Sequence, residues 1–244
     1  SAHLPLSVIE RDPEAVNEAL AAAGFKSDEA EIAMIPSISA PVADLETALA
    51  FGTGHLSCYH LTMEPNTVFW SQPPELPEDD ILWDIQEAGQ ALLGEHGYRQ
   101  YETSAYAQPG RQARHNLNYW TFGDFLGIGA GAHAKLSHAD GRILRSWKTR
   151  LPKDYLVPGK AFRAGEKQLT ADELPFEFLM NVLRLTDGVP AVLFSQRTGL
   201  ALELLAKPRR EAEARGLLSA DPARLVATPK GQLFLNDLLQ SFLP

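Results

Sequence analysis

Apolar and polar positions alternate in short bursts along the first sixty residues, interrupted by stretches of helical period. Residues 4–9 read as a strand. Residues 13–23 read as a helix with Asp12 as N-cap and Pro13 in the first turn, stopped by Gly24. Residues 31–35 are strand-like, 43–51 helical and closed by Gly52, and 55–63 strand-like again. This strand–helix rhythm predicts a parallel sheet or a (βα) barrel. A proline-rich loop over 64–77 is long enough to suggest a role beyond connection. Glu78 and Asp79 then open a helix that puts Ile81, Ile85, Ala88 and Leu92 on one face and ends at Gly97. Residues 98–107 and 142–148 each read as a single strand.

The pattern changes around 152–165, where Pro158 and Gly159 mark a linker. From Leu174 onward it is mostly helical, with Phe176, Leu179, Met180 and Leu183 as an apolar stripe. Residues 224–243 read as a short strand, a turn at Thr228-Pro229-Lys230-Gly231 and a last amphipathic helix. The predicted domains are a partial barrel over 1–157, a linker over 158–173 and a helical, winged-helix-like module over 174–244.

Composition adds limits. A chain of 244 residues that is 45% hydrophobic can bury a sizeable core. Its net charge of −9 argues against nonspecific nucleic-acid binding, which needs a concentrated excess of Lys and Arg. No apolar run is long enough for a transmembrane segment, and the N-terminus lacks a signal-peptide pattern. The single cysteine, Cys58, cannot form an internal disulfide, so the expectation is a soluble cytoplasmic protein.

Chemistry concentrates in the hexapeptide His115-Asn116-Leu117-Asn118-Tyr119-Trp120 and in Leu126-Gly127-Ile128-Gly129-Ala130-Gly131-Ala132-His133 just after it. With HLSCYHLTMEPNT (55–67), PPELPEDD (73–80), GYRQYETSAYAQPG (97–110) and FGDFLGIGAGAH (122–133), they make the chain resemble the oxygen-independent coproporphyrinogen III oxidase-like radical SAM proteins. The likeness is closest to their heme-chaperone branch. It is dense from about residue 43 to the end, and residues 173–243 resemble the family's small C-terminal domain.

The resemblance implies an α/β fold, a radical SAM (βα) barrel incomplete in this chain and followed by the helical module. It implies heme or a porphyrin as ligand and heme-accepting client proteins as partners, with no nucleic acid. A complete family member is expected to carry a [4Fe–4S] cluster, held by three cysteines in CxxxCxxC spacing, and S-adenosylmethionine. That motif is absent here, so this chain alone is expected neither to hold the cluster nor to cleave S-adenosylmethionine. The front also looks compressed, as if βα units were missing between its strands. Either the chain is truly shortened or stretches between strands are missing from the sequence. The second is preferred, and Cα separations far above 3.8 Å at 9–10, 33–34 or 39–40 would mark it.

Under the resemblance, His115 is a candidate axial ligand to heme iron, with Asn116, Tyr119 and Trp120 as further heme contacts. The plainer reading has His115 and Asn116 capping a turn while Tyr119 and Trp120 pack a wall. Gly127, Ile128 and Gly129 are candidates for backbone contact with the adenine of S-adenosylmethionine; the alternative is a tightly packed strand. Tyr59, His60, Glu64, Glu102 and Ser104 fall at expected strand ends, where barrel side chains reach a site. Of these, Tyr59 and Glu102 are placed on the S-adenosylmethionine side, and Glu64 reads better as a turn anchor. Arg111, Arg114 and Arg145 could pair with heme propionates, or be solvated. Lys207, Arg209, Arg210, Arg215 and Lys230 read as a structural or partner surface, because acidic residues are interspersed among them. The expected function is binding heme and handing it to clients. The alternatives are oxidative decarboxylation of coproporphyrinogen III and a cluster-free remnant acting as a binding module.

Overall fold

The computed structural model describes residues 30–31, 41–59, 63, 65, 67–74 and 76–243. The expected strand at 4–9, the helix at 13–23, the three front junctions, His60 and Glu64 lie outside these residues. Contacts divide the chain into two compact units between Ala113 and Arg114.

In the first unit, strands β1 (Ala30–Glu31), β2 (His55–Ser57), β3 (Arg99–Glu102) and β4 (Ala105–Ala107) form a sheet in the order β1-β2-β4-β3. β1 runs parallel to β2, as a barrel rhythm requires, but β4 is antiparallel to both β2 and β3. Residues 98–107, expected as one strand, are therefore a hairpin. Its turn at Thr103-Ser104 contains neither glycine nor proline, so composition gives no signal of it. Helix α1 (Pro41–Ala50) is followed by Gly52 at φ 65, and the helix of 79–95 by Gly97 at φ 79. These are the left-handed exits that the sequence predicted. The proline-rich loop also holds one helical turn, α2 (Val68–Ser71), where the Thr67 hydroxyl accepts the Trp70 amide at 3.2 Å.

The stripe on helix α3 (Asp79–Glu95) is rotated by about one residue from its expected position. Gly89 and Leu93 are buried, while Ile81 is 51% exposed. Gly89 sets this face: a Cβ there would lie 3.0 Å from Cδ1 of Leu45 on α1. Leu45, Ala48, Leu56, Leu93, Tyr98 and Tyr106 form the core between these helices and one face of the sheet.

The second unit begins with α4 (Arg114–Trp120) and continues into a three-stranded antiparallel sheet, β5 (His133–Ser137), β6 (Ile143–Lys148) and β7 (Arg163–Gln168). β7 occupies residues expected as linker and pairs along β6, with Trp147 lying over Gly165. After the short α5 (Pro152–Tyr155) come α6 (Leu174–Val182), α7 (Val192–Thr198), a 3-10 turn (Leu202–Leu205) and α8 (Ala206–Ala214). The small wing is β8 (Val189–Pro190) against β9 (Arg224–Leu225). The Thr228–Gly231 turn is the start of α9 (Pro229–Leu233): the Thr228 hydroxyl accepts the Gly231 amide at 3.0 Å. α10 (Leu235–Gln240) closes the chain. Leu174, Phe178, Leu179 and Val182 face the core, and Met180, expected in the stripe, is 37% exposed. Among the described residues, no helix is long and apolar enough to cross a membrane.

Candidate functional site

The hexapeptide is almost the whole of α4. Helical spacing puts His115 and Tyr119 on one side and Asn116 and Trp120 on another. His115 is exposed and meets the edge of Tyr119, with ring centroids 6.2 Å apart. Tyr119 in turn stands edge-on to Phe125 at 4.6 Å. Trp120 lies under the guanidinium of Arg184, 4.4 Å from its ring centroid, and its indole N–H is buried without a hydrogen-bond partner. Tyr119 and Trp120 thus make packing contacts, and His115 is the most exposed ring of the hexapeptide.

Asn118 has a local role. Its side-chain amide donates to the Asp124 carbonyl at 2.8 Å, and its own carbonyl accepts the Gly123 amide at 2.7 Å. A Cβ on Gly123 would lie 2.0 Å from the Asn118 side-chain oxygen. Between them Phe122 adopts φ 57, and its ring is 1% exposed. The turn that follows the helix is held from both ends.

The glycine-rich segment, expected as a strand, is a loop, because Gly129 at φ 106 and Gly131 at φ 71 leave the extended region. The strand starts only at His133. Gly127 is needed for close approach to the protein's own backbone, since a Cβ would lie 2.3 Å from the His133 carbonyl oxygen. The Gly129 amide donates to the Tyr155 hydroxyl at 3.3 Å. Ile128 is 85% exposed. The segment's tight contacts are internal, and its side chain at 128 faces solvent.

In the first unit, β2 alternates faces, so Leu56 enters the helix-side core while His55 and Ser57 share the opposite face. Glu102 lies on that second face through its pairing with Ala105, which pairs with Ser57. His55, Ser57 and Glu102 are all buried. The register shift between Gln100 and Glu102 re-aims Tyr101, whose hydroxyl lies 2.8 Å from His55 Nε2. Sequence reasoning named Glu102, with Tyr101 beside it, but gave His55 no role and did not pair it with Tyr101; polar residues at alternate positions of an apolar strand were the available signal. Tyr59, beyond the end of β2, is 42% exposed. The Ser104 carbonyl accepts the Cys58 amide at 2.7 Å.

The charged candidates are largely engaged. Arg145 donates to Glu177 at 2.6 Å. The Arg111 stem packs at Gly54, where a Cβ would come 2.9 Å from its Cγ. Arg209 bonds Glu213 and the carbonyls of Asp221, Pro222 and Arg224. Arg215 reaches the Asp237 carbonyl and Lys230 the Arg215 carbonyl. Arg114, Lys207 and Arg210 are exposed.

A [4Fe–4S] cluster does not fit these residues. Iron–sulfur clusters are held by thiolates, and the sequence has one cysteine. Burial pushes the Cys58 thiol up to about 11, and it packs beside the Leu45–Tyr106 core. No group of three or more His, Cys, Asp or Glu among the described residues is placed to hold a metal ion.

Comparison with known proteins adds to this geometry. The model of the HemN C-terminal domain matches residues 169–234. Heme chaperone HemW of Escherichia coli (strain K12) is 48% identical over 207 residues, covering 85% of this chain and 54% of that protein. Heme chaperone HemW of Bacillus subtilis (strain 168) is 29% identical over 207 residues, covering 82% of this chain and 53% of that protein. The chain thus spans about half the length of these relatives. The solved structure of coproporphyrinogen III oxidase (HemN) from Escherichia coli, described as a radical SAM enzyme, has the same fold at a TM-score of 0.69. It is 18% identical, and the likeness covers 96% of this chain and 59% of that one. The chain is thus similar to the HemW heme chaperones over about half their length, carries a stretch matched by the HemN C-terminal domain, and shares the fold of the Escherichia coli structure.

Proposed function

We propose that this chain binds heme and passes it to client proteins in the cytoplasm, with His115 as the axial ligand to iron. Heme is the cargo here. The observation that carries the reading is the exposure of His115 at the start of α4, while Tyr119 and Trp120 behind it are packed. The names of the relatives, heme chaperones, point the same way. An imidazole supported by the Tyr119 ring is pre-oriented for coordination. Asn116, Tyr119 and Trp120 would then shape the surface beside the porphyrin. Tyr59, Glu102, Gly127, Ile128 and Gly129 remain the S-adenosylmethionine-side assignment for a complete family member.

Titration of the purified chain with hemin, followed in the Soret region, tests the reading. The expected result is saturable binding that His115→Ala weakens by about tenfold or more. Equal binding by the variant removes His115 from the site, and no saturable binding by the parent chain removes the function. Oxidation of coproporphyrinogen III is the second reading, supported by the fold of the Escherichia coli enzyme. It predicts protoporphyrinogen formation under anaerobic conditions after reconstitution with iron, sulfide and S-adenosylmethionine. With Cys58 as its one thiol, the chain is expected to form none.

A further inference from the structure

Outside the hexapeptide, the most deeply buried charged side chain among the described residues of the second unit is Lys135. It sits on β5 and is 1% exposed, an unusual place for an ammonium group. Its Nζ donates to Asp124 Oδ1 at 2.8 Å and to the Ser137 hydroxyl at 3.4 Å, and lies 4.2 Å from the centroid of the Phe122 ring. Asp124 also accepts from the Ser137 amide at 3.0 Å and the Ser137 hydroxyl at 2.9 Å. The Lys135 backbone adds a two-way bridge to Phe125, at 3.0 and 3.1 Å. One residue therefore holds Phe122, Asp124 and Phe125, and the Asp124 carbonyl in turn holds Asn118 on α4. Phe125 supports Tyr119, which supports His115.

We propose that Lys135 is a positioning residue for the heme ligand. Through Asp124, Phe122 and Phe125 it fixes the turn from which α4 presents His115. The proposal rests on the reading of His115 as that ligand. Burial pushes the Lys135 ammonium below its ordinary value, and Asp124 opposes the shift. Burial raises the Asp124 carboxyl, but the Lys135 and Ser137 hydrogen bonds outweigh it and hold it below the usual range. The Lys135 end of the pair is buried and the Asp124 side chain is 41% exposed, so the cost of stranding the ammonium keeps the two together and fixes the turn.

The test compares the ferric heme spectra of the parent chain, Lys135→Met, Asp124→Asn and His115→Ala, with far-UV circular dichroism on each. The expected result is that Lys135→Met keeps the parent's circular dichroism but loses the histidine-ligated Soret and low-spin signature, with heme affinity down about tenfold. Asp124→Asn, nearly isosteric, is expected to shift the same bands part of the way. A folded Lys135→Met with the parent spectrum overturns the proposal. If Lys135→Met unfolds, Asp124→Asn decides by the same criterion, and joint unfolding of both overturns it, because the cluster then serves the fold alone. If His115→Ala itself keeps the parent spectrum, the ligand assignment has failed rather than the positioning argument built on it.

Discussion

The sheet of the first unit buries His55, Ser57 and Glu102, whereas the helical core of residues 174–243 buries Leu174, Phe178, Leu179, Val182, Phe194 and Leu238. Among the described residues of that core, Thr198 is the sole buried polar side chain, and its hydroxyl donates to the Phe194 carbonyl at 2.6 Å. A wholly apolar core depends on volume and shape, so many sequences satisfy it at some cost in packing. A polar face depends on matched donors and acceptors, and few replacements satisfy it. The two regions should therefore fail in different ways.

Phe178 is the place to press first. It is fully buried and stands edge-on to Phe122 at 5.5 Å and to Phe194 at 5.4 Å. Phe178→Ala should cost about 3–5 kcal/mol in chemical denaturation. Phe178→Leu should recover part of that, since shape rather than identity matters there. His55 comes next. Removing its contact with the Tyr101 hydroxyl by His55→Ala should cost about 1–3 kcal/mol. Restoring apolar volume with His55→Leu should recover little, because leucine offers the tyrosine hydroxyl neither donor nor acceptor. Equal rescue by leucine at both positions would break the comparison.

The smallest effect lies on the surface of the second unit. Glu173 accepts from Lys167, from the Thr170 amide at 3.0 Å and from the Thr170 hydroxyl at 3.2 Å. The Lys167 hydrogen bond leads in holding its carboxyl down to about 2, from an ordinary 4.5. A carboxyl depressed by folding stabilises the fold above the ordinary value, and that stability is lost as pH falls through 4.5 toward 2. Glu173→Gln should flatten this acid limb by lowering stability slightly at pH 7 and leaving it unchanged near pH 2, as thermal melts across the range would show.

The long helices were legible because their exits need a left-handed residue and glycine supplies it at 52 and 97. The faces of those helices were less legible. Hydropathy gives no credit to Gly89, yet the near contact of Leu45 there sets the rotation of α3. Neither the hexapeptide's helix nor the loop of the glycine-rich segment was anticipated. Alternation of Gly with small apolar residues looks like a strand until φ turns positive at Gly129 and Gly131. The pairing of His55 with Tyr101 was missed because they are 46 positions apart, beyond the reach of any local pattern. Lys135 was missed for a related reason: a lysine in a strand reads as solvent-exposed, and only the fold brings Asp124 beneath it.

Phe122 carries a last consequence. A phenylalanine at φ 57 opposes its own backbone preference by about 1 kcal/mol. What outweighs that preference is the burial of its ring beside Phe178 and Lys135. The bend that aims the hexapeptide is therefore borrowed from the interior of the second unit. The segment is not portable: a peptide of residues 114–125, or the same twelve residues grafted onto another scaffold, would carry every side chain of the motif and still point its imidazole elsewhere.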